Sequence, residues 1–261
     1  MNQFKSISQA KKATKLSYLG GVNTSAKIEK NAKLNVLTYI IYLAPSNMSG
    51  YNVCPMASEY CISLCLNESG HNSMAKEGEL STIDIARIAK TKLYYENRPY
   101  FSAWTIAEIR SYKEKANKLG MGFSVRINGT SDLSPETITQ DGKNVLEIFP
   151  DVQFYDYTKI PKRLALTKIY PNYHLTFSFS GTNMVDCMNA LSDGYNVAMV
   201  FEKELPRTFA GYTVINADES DLRYLDGSGV ICGLKFKRVR GKKDISKSPF
   251  VIKRDSTFCE W

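Results

Sequence analysis

Three cysteines fall within twelve residues, Cys54, Cys61 and Cys65, in the segment N-V-C-P-M-A-S-E-Y-C-I-S-L-C-L-N. Sulfur donors gathered this tightly suit zinc and iron–sulfur clusters. A structural zinc site takes four protein ligands and is closed, whereas a [4Fe–4S] cluster held by three cysteines keeps one iron open. Three clustered thiols therefore point first to a [4Fe–4S] cluster. Zinc is the alternative, with His71, six residues beyond Cys65, as fourth ligand. Papain-like nucleophilic chemistry needs a histidine partner, and the chain holds two histidines, His71 and His174. The other cysteines, Cys187, Cys232 and Cys259, lie far apart, so a disulfide framework of the small secreted kind is not expected.

Two further segments carry polar groups suited to a site. R-I-N-G-T-S-D places Arg126 in a strand and Asn128, Thr130, Ser131 and Asp132 just after it, with Arg126 and Asn128 on one face by alternation. F-Y-D-Y-T-K offers Asp156 and Lys159, with Tyr155 and Tyr157 on the opposite face. Arg126, Asp132, Asp156 and Lys159 are the candidate catalytic residues, and Asn128, Ser131 and Asp132 the candidate cofactor contacts. A charged Arg in a protein interior needs an anion, either a substrate or a bridging Asp132 or Asp156. Asp132, Asp156, Asp218 and Asp221 form a second possible set, for magnesium, although no D-x-D or H-x-H pairing makes that reading specific.

The elements that must position these groups alternate strand-like and helical patterns. L-N-V-L-T-Y-I-I-Y-L-A-P (34–45) reads as a buried strand that runs into the cysteine loop. Helical spacing follows over 81–95 and 100–119, with Asn97, Arg98 and Pro99 as a break between them, and a short helix is expected over 136–149. Further strands are expected over 121–128, 151–159, 173–180, 196–202, 212–218 and 230–237, with a basic turn or helix at 161–168 and a helix over 182–192. Strand–helix alternation predicts an α/β fold, a complete or partial (β/α) barrel of TIM type with mainly parallel strands. Active sites of such barrels form at the C-terminal strand ends, where the cysteine loop and residues 128–132, 156–159, 180–183, 202–204 and 218–221 fall.

The net charge of +8 sits at the two ends of the chain. Residues 1–33 hold seven Lys against one Glu, and 235–255 hold nine Lys or Arg against two Asp, which leaves the middle acidic. We therefore expect a basic N-terminal extension (1–33), a barrel-like domain (34–237) and a basic C-terminal tail (238–261). Such ends can hold phosphate backbones without reading bases, so a nucleotide or nucleic acid is the expected partner. No apolar run reaches the roughly 18 residues of a membrane span, and no signal-peptide pattern opens the chain, so a cytoplasmic location is expected.

The chain resembles the phage gene product 88 family. The resemblance rests on C-P-x-A-S-x-x-C-x-x-x-C-L-N at 54–67, A-R-x-x-K-T at 86–91, R-x-N-G-T-S-D at 126–132 and F-Y-D-Y-T-K at 154–159. It continues through N-Y-H-L-T-F-S at 172–178, D-L-R-x-L-D at 221–226 and G-V-I-x-G-L-K at 229–235. These motifs cover roughly 34–237, with the basic ends outside them. The resemblance implies a phage or prophage origin and a distant likeness to radical-SAM barrels. Those use C-x3-C-x2-C in a loop after the first strand; here the location agrees and the C-x6-C-x3-C spacing differs. The leading expectation is thus a radical-SAM-like enzyme whose open iron binds S-adenosylmethionine and which acts on a nucleotide or nucleic acid. Its rivals are a zinc-stabilised nucleic-acid-binding protein without catalysis and a magnesium-dependent nuclease.

Overall fold

The fold is a computed structural model that describes residues 7–14, 16–22, 26–68, 72, 79–237 and 248–261. Ahead of the first long strand stand α1 (Ile7–Thr14), β1 (Gly20–Gly21) and α2 (Ala26–Lys33). The β-branched and aromatic run V-L-T-Y-I-I then forms β2 (Val36–Ile41), and the cysteine loop follows with the single-turn α3 (Glu59–Ser63). Next come α4 (Thr82–Glu96), α5 (Arg98–Lys118) and β3 (Gly122–Arg126). The middle of the chain runs through β4 (Thr139–Gln140), β5 (Lys143–Asn144), α6 (Val145–Ile148), β6 (Gln153–Thr158), α7 (Leu166–Ile169), β7 (Tyr173–Ser178) and α8 (Met184–Ser192). The last elements are β8 (Val197–Phe201), β9 (Thr208–Phe209), β10 (Tyr212–Asn216), β11 (Ile231–Lys235), β12 (Val251–Ile252) and β13 (Cys259–Glu260).

All the long strands run parallel in one sheet, in the order β2-β3-β6-β7-β8-β11-β10. β1 adds antiparallel to the β2 edge, and β9 and β13 extend the β10 edge, also antiparallel. Among the described residues no strand pair closes the sheet, so the expected barrel is an open, mainly parallel sheet. The sheet nonetheless curls. Five strand spacings separate β3 from β10, about 24 Å in a flat sheet. Yet Arg126 on β3 meets Asp221, five residues past β10, in an ion pair of 3.0 Å. Asn31 of α2 crosses the same gap, with its side chain on Thr38 of β2 at 3.0 Å and accepting from the Asp221 backbone N–H at 3.0 Å. Side chains bridge the edges that backbone pairing leaves open.

Register gives the two faces different characters. The outer face carries Tyr39, Ile41, Val125, Phe154, Leu175, Phe177, Val197, Met199 and Ile231, all packed in the main core with Trp104 and Ile109 of α5 and Leu191 of α8. The inner face is polar over β2, β3, β6 and β7, where it carries Thr38, Ser124, Arg126, Tyr155, Tyr157, His174, Thr176 and Ser178. It is apolar over β8, β10 and β11, where Ala198, Ile215, Cys232 and Leu234 cluster beside Tyr157. Its polar half is a surface suited to polar groups, since burying them otherwise costs free energy.

Local signals explain the element ends. Ser81 caps α4 by accepting from the Asp84 N–H at 3.0 Å, while the Asp84 carboxylate accepts from the Ser81 N–H at 3.1 Å. Ser81→Ala should therefore lower stability by about 1 kcal/mol, checked by the shift of the urea midpoint. Asn97 both ends α4 and caps α5, so the break between the helices is a single residue and α5 starts at Arg98, two residues earlier than its spacing suggests.

The helix expected over 136–149 is mostly a hairpin. Asp141 (φ 51°) and Gly142 (φ 79°) form a two-residue turn between β4 and β5, and only Val145–Ile148 is α-helical. The ends of the chain also join the fold. β1 pairs with β2, and residues 248–261, expected as a tail, place β12 beside β8 and β13 beside β9. The basic stretch 238–247 lies outside the described residues. Among the described residues no helix is long and apolar enough to cross a membrane.

Candidate functional site

The cysteine loop leaves the C-terminal end of β2 and is held down by the loop that leaves β3. Gly129 N–H donates to Ile41 O at 2.9 Å, Asp132 N–H to Val53 O at 2.8 Å, and the Thr130 hydroxyl to Leu43 O. A Cβ on Gly129 would sit 2.7 Å from Ile41 O and 2.6 Å from the Tyr42 ring, which is why the R-x-N-G-T-S-D motif needs glycine there. Within the loop the Asn52 side chain accepts from Cys54 N–H at 2.8 Å, and Ser58 caps α3 by accepting from Cys61 N–H at 3.1 Å. The Ser58 hydroxyl also donates to Ser180 O beyond β7, and Leu64 packs on Val251 of β12 and Val200 of β8. The ends of β2, β3, β7, β8 and β12 thus all support the segment that carries the three thiols.

Cys54, Cys61 and Cys65 are each half-buried and free of disulfides. The Cys54 thiol points at Thr130 O, 3.7 Å away. Burial pushes the Cys65 thiol up to about 12; the Cys61 and Cys54 sulfurs add to the shift and Lys159 opposes it. Burial raises Cys54 as well, again against Lys159 and with Cys61. The three sulfurs are therefore electrostatic neighbours of one another, and Cys54 and Cys65 also feel the Lys159 ammonium, whose Nζ is fixed by Ser178 Oγ at 3.0 Å. A second cation, Arg87 of α4, lies over the Tyr42 ring at 4.8 Å, hydrogen-bonds Asn67, and feels the charge of Cys65. Among the described residues no three Cys, His, Asp or Glu side chains are grouped so as to grip a single metal ion. His71, the expected fourth zinc ligand, lies outside the described residues.

The remaining candidates separate into two groups. Asn128, Ser131, Asp132, Asp156 and Lys159 do come together. Asp156 accepts from the Asn128 backbone N–H at 2.7 Å and its side-chain amide at 3.0 Å; Asn128 Oδ1 in turn accepts from Ser131 Oγ and Leu133 N–H, both at 2.8 Å. Asp132 accepts from Lys159 N–H at 2.7 Å and pairs with the buried Arg163 guanidinium. Asp156 and Asp132 are 1% and 8% exposed, and their oxygens are engaged within the protein. They shape the strand-end loops, and neither meets Arg126.

Asp156 points to the helix side of the sheet, whereas Arg126, Tyr155 and Tyr157 point inward, where Arg126 binds Asp221 and stacks on Tyr157 at 4.7 Å. The four aspartates considered for magnesium do not converge. Asp156 and Asp221 lie on opposite faces, Asp132 pairs with Arg163, and Asp218 accepts from Lys235 N–H at 2.8 Å.

Four residues at or near the strand ends escaped the sequence reading: Arg87, Arg163, Arg223 and Tyr42. Arg223 sat in the D-L-R-x-L-D motif, and Arg87 in A-R-x-x-K-T, so a signal was present for both. Burial could not be read there, because charged residues after strands and on helices are ordinarily solvated.

No curated protein and no solved structure matches the chain, so the likeness to radical-SAM enzymes finds no support from that side. The family model for gene product 88 matches residues 5–259, including both basic ends, and the chain belongs to the gene product 88 family.

Proposed function

We propose that this protein is an iron–sulfur enzyme in which Cys54, Cys61 and Cys65 hold a [4Fe–4S] cluster whose open iron binds S-adenosylmethionine. The observation that carries this reading is the position of the three thiols. They share one loop at the C-terminal rim of the parallel sheet, within electrostatic reach of one another, with Lys159 in reach of Cys54 and Cys65. A single zinc ion would need its sulfurs about 3.8 Å apart, from Zn–S bonds of about 2.3 Å in a tetrahedron. A four-iron cluster spaces its thiolates more widely, since each sits on a different iron. Lys159 and Arg87 suit an anionic cluster electrostatically.

When bound, such a cluster supplies one-electron chemistry, with S-adenosylmethionine as the group it acts on. The protein's own contributions follow from what each residue touches. Asn128, Asp132 and Asp156 hold the strand-end loops in place, Lys159 and Ser131 face the rim, and Arg126 lies on the inner face below. The net charge of +8 favours a nucleotide or nucleic acid as substrate.

Reconstitution with iron and sulfide under anaerobic conditions should give a brown protein with about four irons per chain and absorbance at roughly 400 nm. Cys54→Ala, Cys61→Ala and Cys65→Ala should each abolish that absorbance, and S-adenosylmethionine should change the electron paramagnetic resonance spectrum of the reduced protein. A colourless product carrying stoichiometric zinc would overturn the cluster, and an unchanged spectrum would overturn the cofactor.

A further inference from the structure

We propose that the inner face of the sheet holds an oxyanion site, for a phosphate ester or a carboxylate, formed by Arg126, Arg223, His174 and Thr176. Thr176 and His174 stand two apart on β7 and so share the inner face, where Thr176 lies beside Tyr157 and His174 beside Tyr155 in register. Arg126 reaches the same place from β3, with its guanidinium over the Tyr157 ring at 4.7 Å. Arg223 enters from the segment after β10; it is 2% exposed, and its charge is felt by both Tyr157 and His174.

Each of the four carries a buried polar atom with no hydrogen-bond partner among the described residues: Arg126 Nε, Arg223 Nε, His174 Nε2 and Thr176 Oγ1. A buried polar group left unpaired costs about 1–3 kcal/mol, and native interiors seldom tolerate several side by side. The chemistry of the set selects its partner. A guanidinium N–H can only donate, and the Thr hydroxyl and the imidazole can donate too. The carboxylates nearby are already engaged, Asp221 by Arg126 and Tyr155, and Asp226 by Arg223 at 3.2 Å. What is missing is an acceptor with several oxygens, and two guanidinium groups make an anionic one favourable. Burial, and Arg223 beside it, hold the His174 imidazole down at about 4, so it stays neutral near pH 7.

The site does not need the cluster, and it is tested on metal-free protein. His174 is one of two histidines in the chain, so its ring resonances can be followed by NMR while inorganic phosphate, acetate or a nucleoside monophosphate is added. We expect a saturable shift of His174 with Kd of about 1 mM or tighter. Phosphates binding ahead of acetate would assign a phosphate ester, and the reverse order a carboxylate. Arg223→Lys keeps the charge but loses Nε–H, and Thr176→Val keeps the shape but loses the hydroxyl. Each should weaken binding about tenfold or more, with Lys162→Ala unchanged. No saturable shift up to about 10 mM, or equal affinity in both variants, would overturn the site and leave water as the partner of these atoms.

Discussion

Asp156→Ala should cost about 3–5 kcal/mol of folding stability, read as a drop in the urea midpoint at pH 7. The substitution strips partners from three donors at once. Asn128 loses the acceptor of its backbone N–H and of its side-chain amide, and the Tyr173 hydroxyl loses its acceptor at 3.2 Å. None of these can turn to water, because Asp156, Asn128 and Tyr173 are all at most 2% exposed. The loss spreads to the rim, since Asn128 Oδ1 orients Ser131 and Leu133. Asp156→Asn keeps the size and one carbonyl acceptor, so its cost should be smaller.

The same pair of variants separates stability from pH. Burial raises the Asp156 carboxyl to about 6, against the opposing pull of Arg163 and the Asn128 N–H. An unfolded aspartate titrates near about 3.9. Between these values the folded protein binds the extra proton, so stability falls as pH rises from about 4 to about 6 and then levels off. In Asp156→Asn this contribution to the slope should vanish. An identical pH profile for the two proteins would show that Asp156 titrates normally.

The seven runs read as strands from alternation and β-branched residues are the seven parallel strands, because each is long enough for a period of two to show. β1, β9, β12 and β13 are two-residue strands and carry no period at all. Their existence depends on partners distant in sequence, Gly20 on Ile41 and Cys259 on Phe209. The Asp141–Gly142 dipeptide is itself a turn signal, and it falls inside the run expected as a helix over 136–149.

The convergence of the cysteine loop with the loop after β3 follows from parallel neighbours having their C-terminal ends at one rim, and that much was readable. The direction of each face was not. Alternation separates Asp156 from Tyr155 and Tyr157, yet it does not say which side is the core. The tyrosines look like packing residues and the aspartate like a site residue, whereas the reverse placement holds, because Asp156 has buried donors to meet and the Tyr155 hydroxyl meets Asp221 at 3.0 Å. The partner of Arg126 is 95 positions away in sequence, beyond the reach of any local pattern.

That distant pair should dominate the stability of the inner face. Asp221, fully buried, accepts from Arg126 Nη1 at 3.0 Å and from the Tyr155 hydroxyl at 3.0 Å. Its own N–H donates to Asn31 Oδ1 at 3.0 Å. Asp221→Ala leaves the Arg126 guanidinium inside the protein with its counter-charge gone, which costs about 3–5 kcal/mol. It also removes the contact between β3 and the segment after β10, one of those that keep the curled sheet from opening. Hydrogen exchange should then rise at Asn31 and along 217–225 before it rises in the outer core around Phe154 and Leu175.

Desolvation of both charges offsets most of the attraction within the pair, so its loss as a unit costs far less than the loss of one member. Combining Arg126→Leu with Asp221→Leu should therefore recover at least half of the stability lost in Asp221→Ala, measured by urea unfolding of all the variants under one buffer condition. If the double variant is as unstable as Asp221→Ala, the cost lies in the backbone path of the segment after β10 and not in a stranded charge.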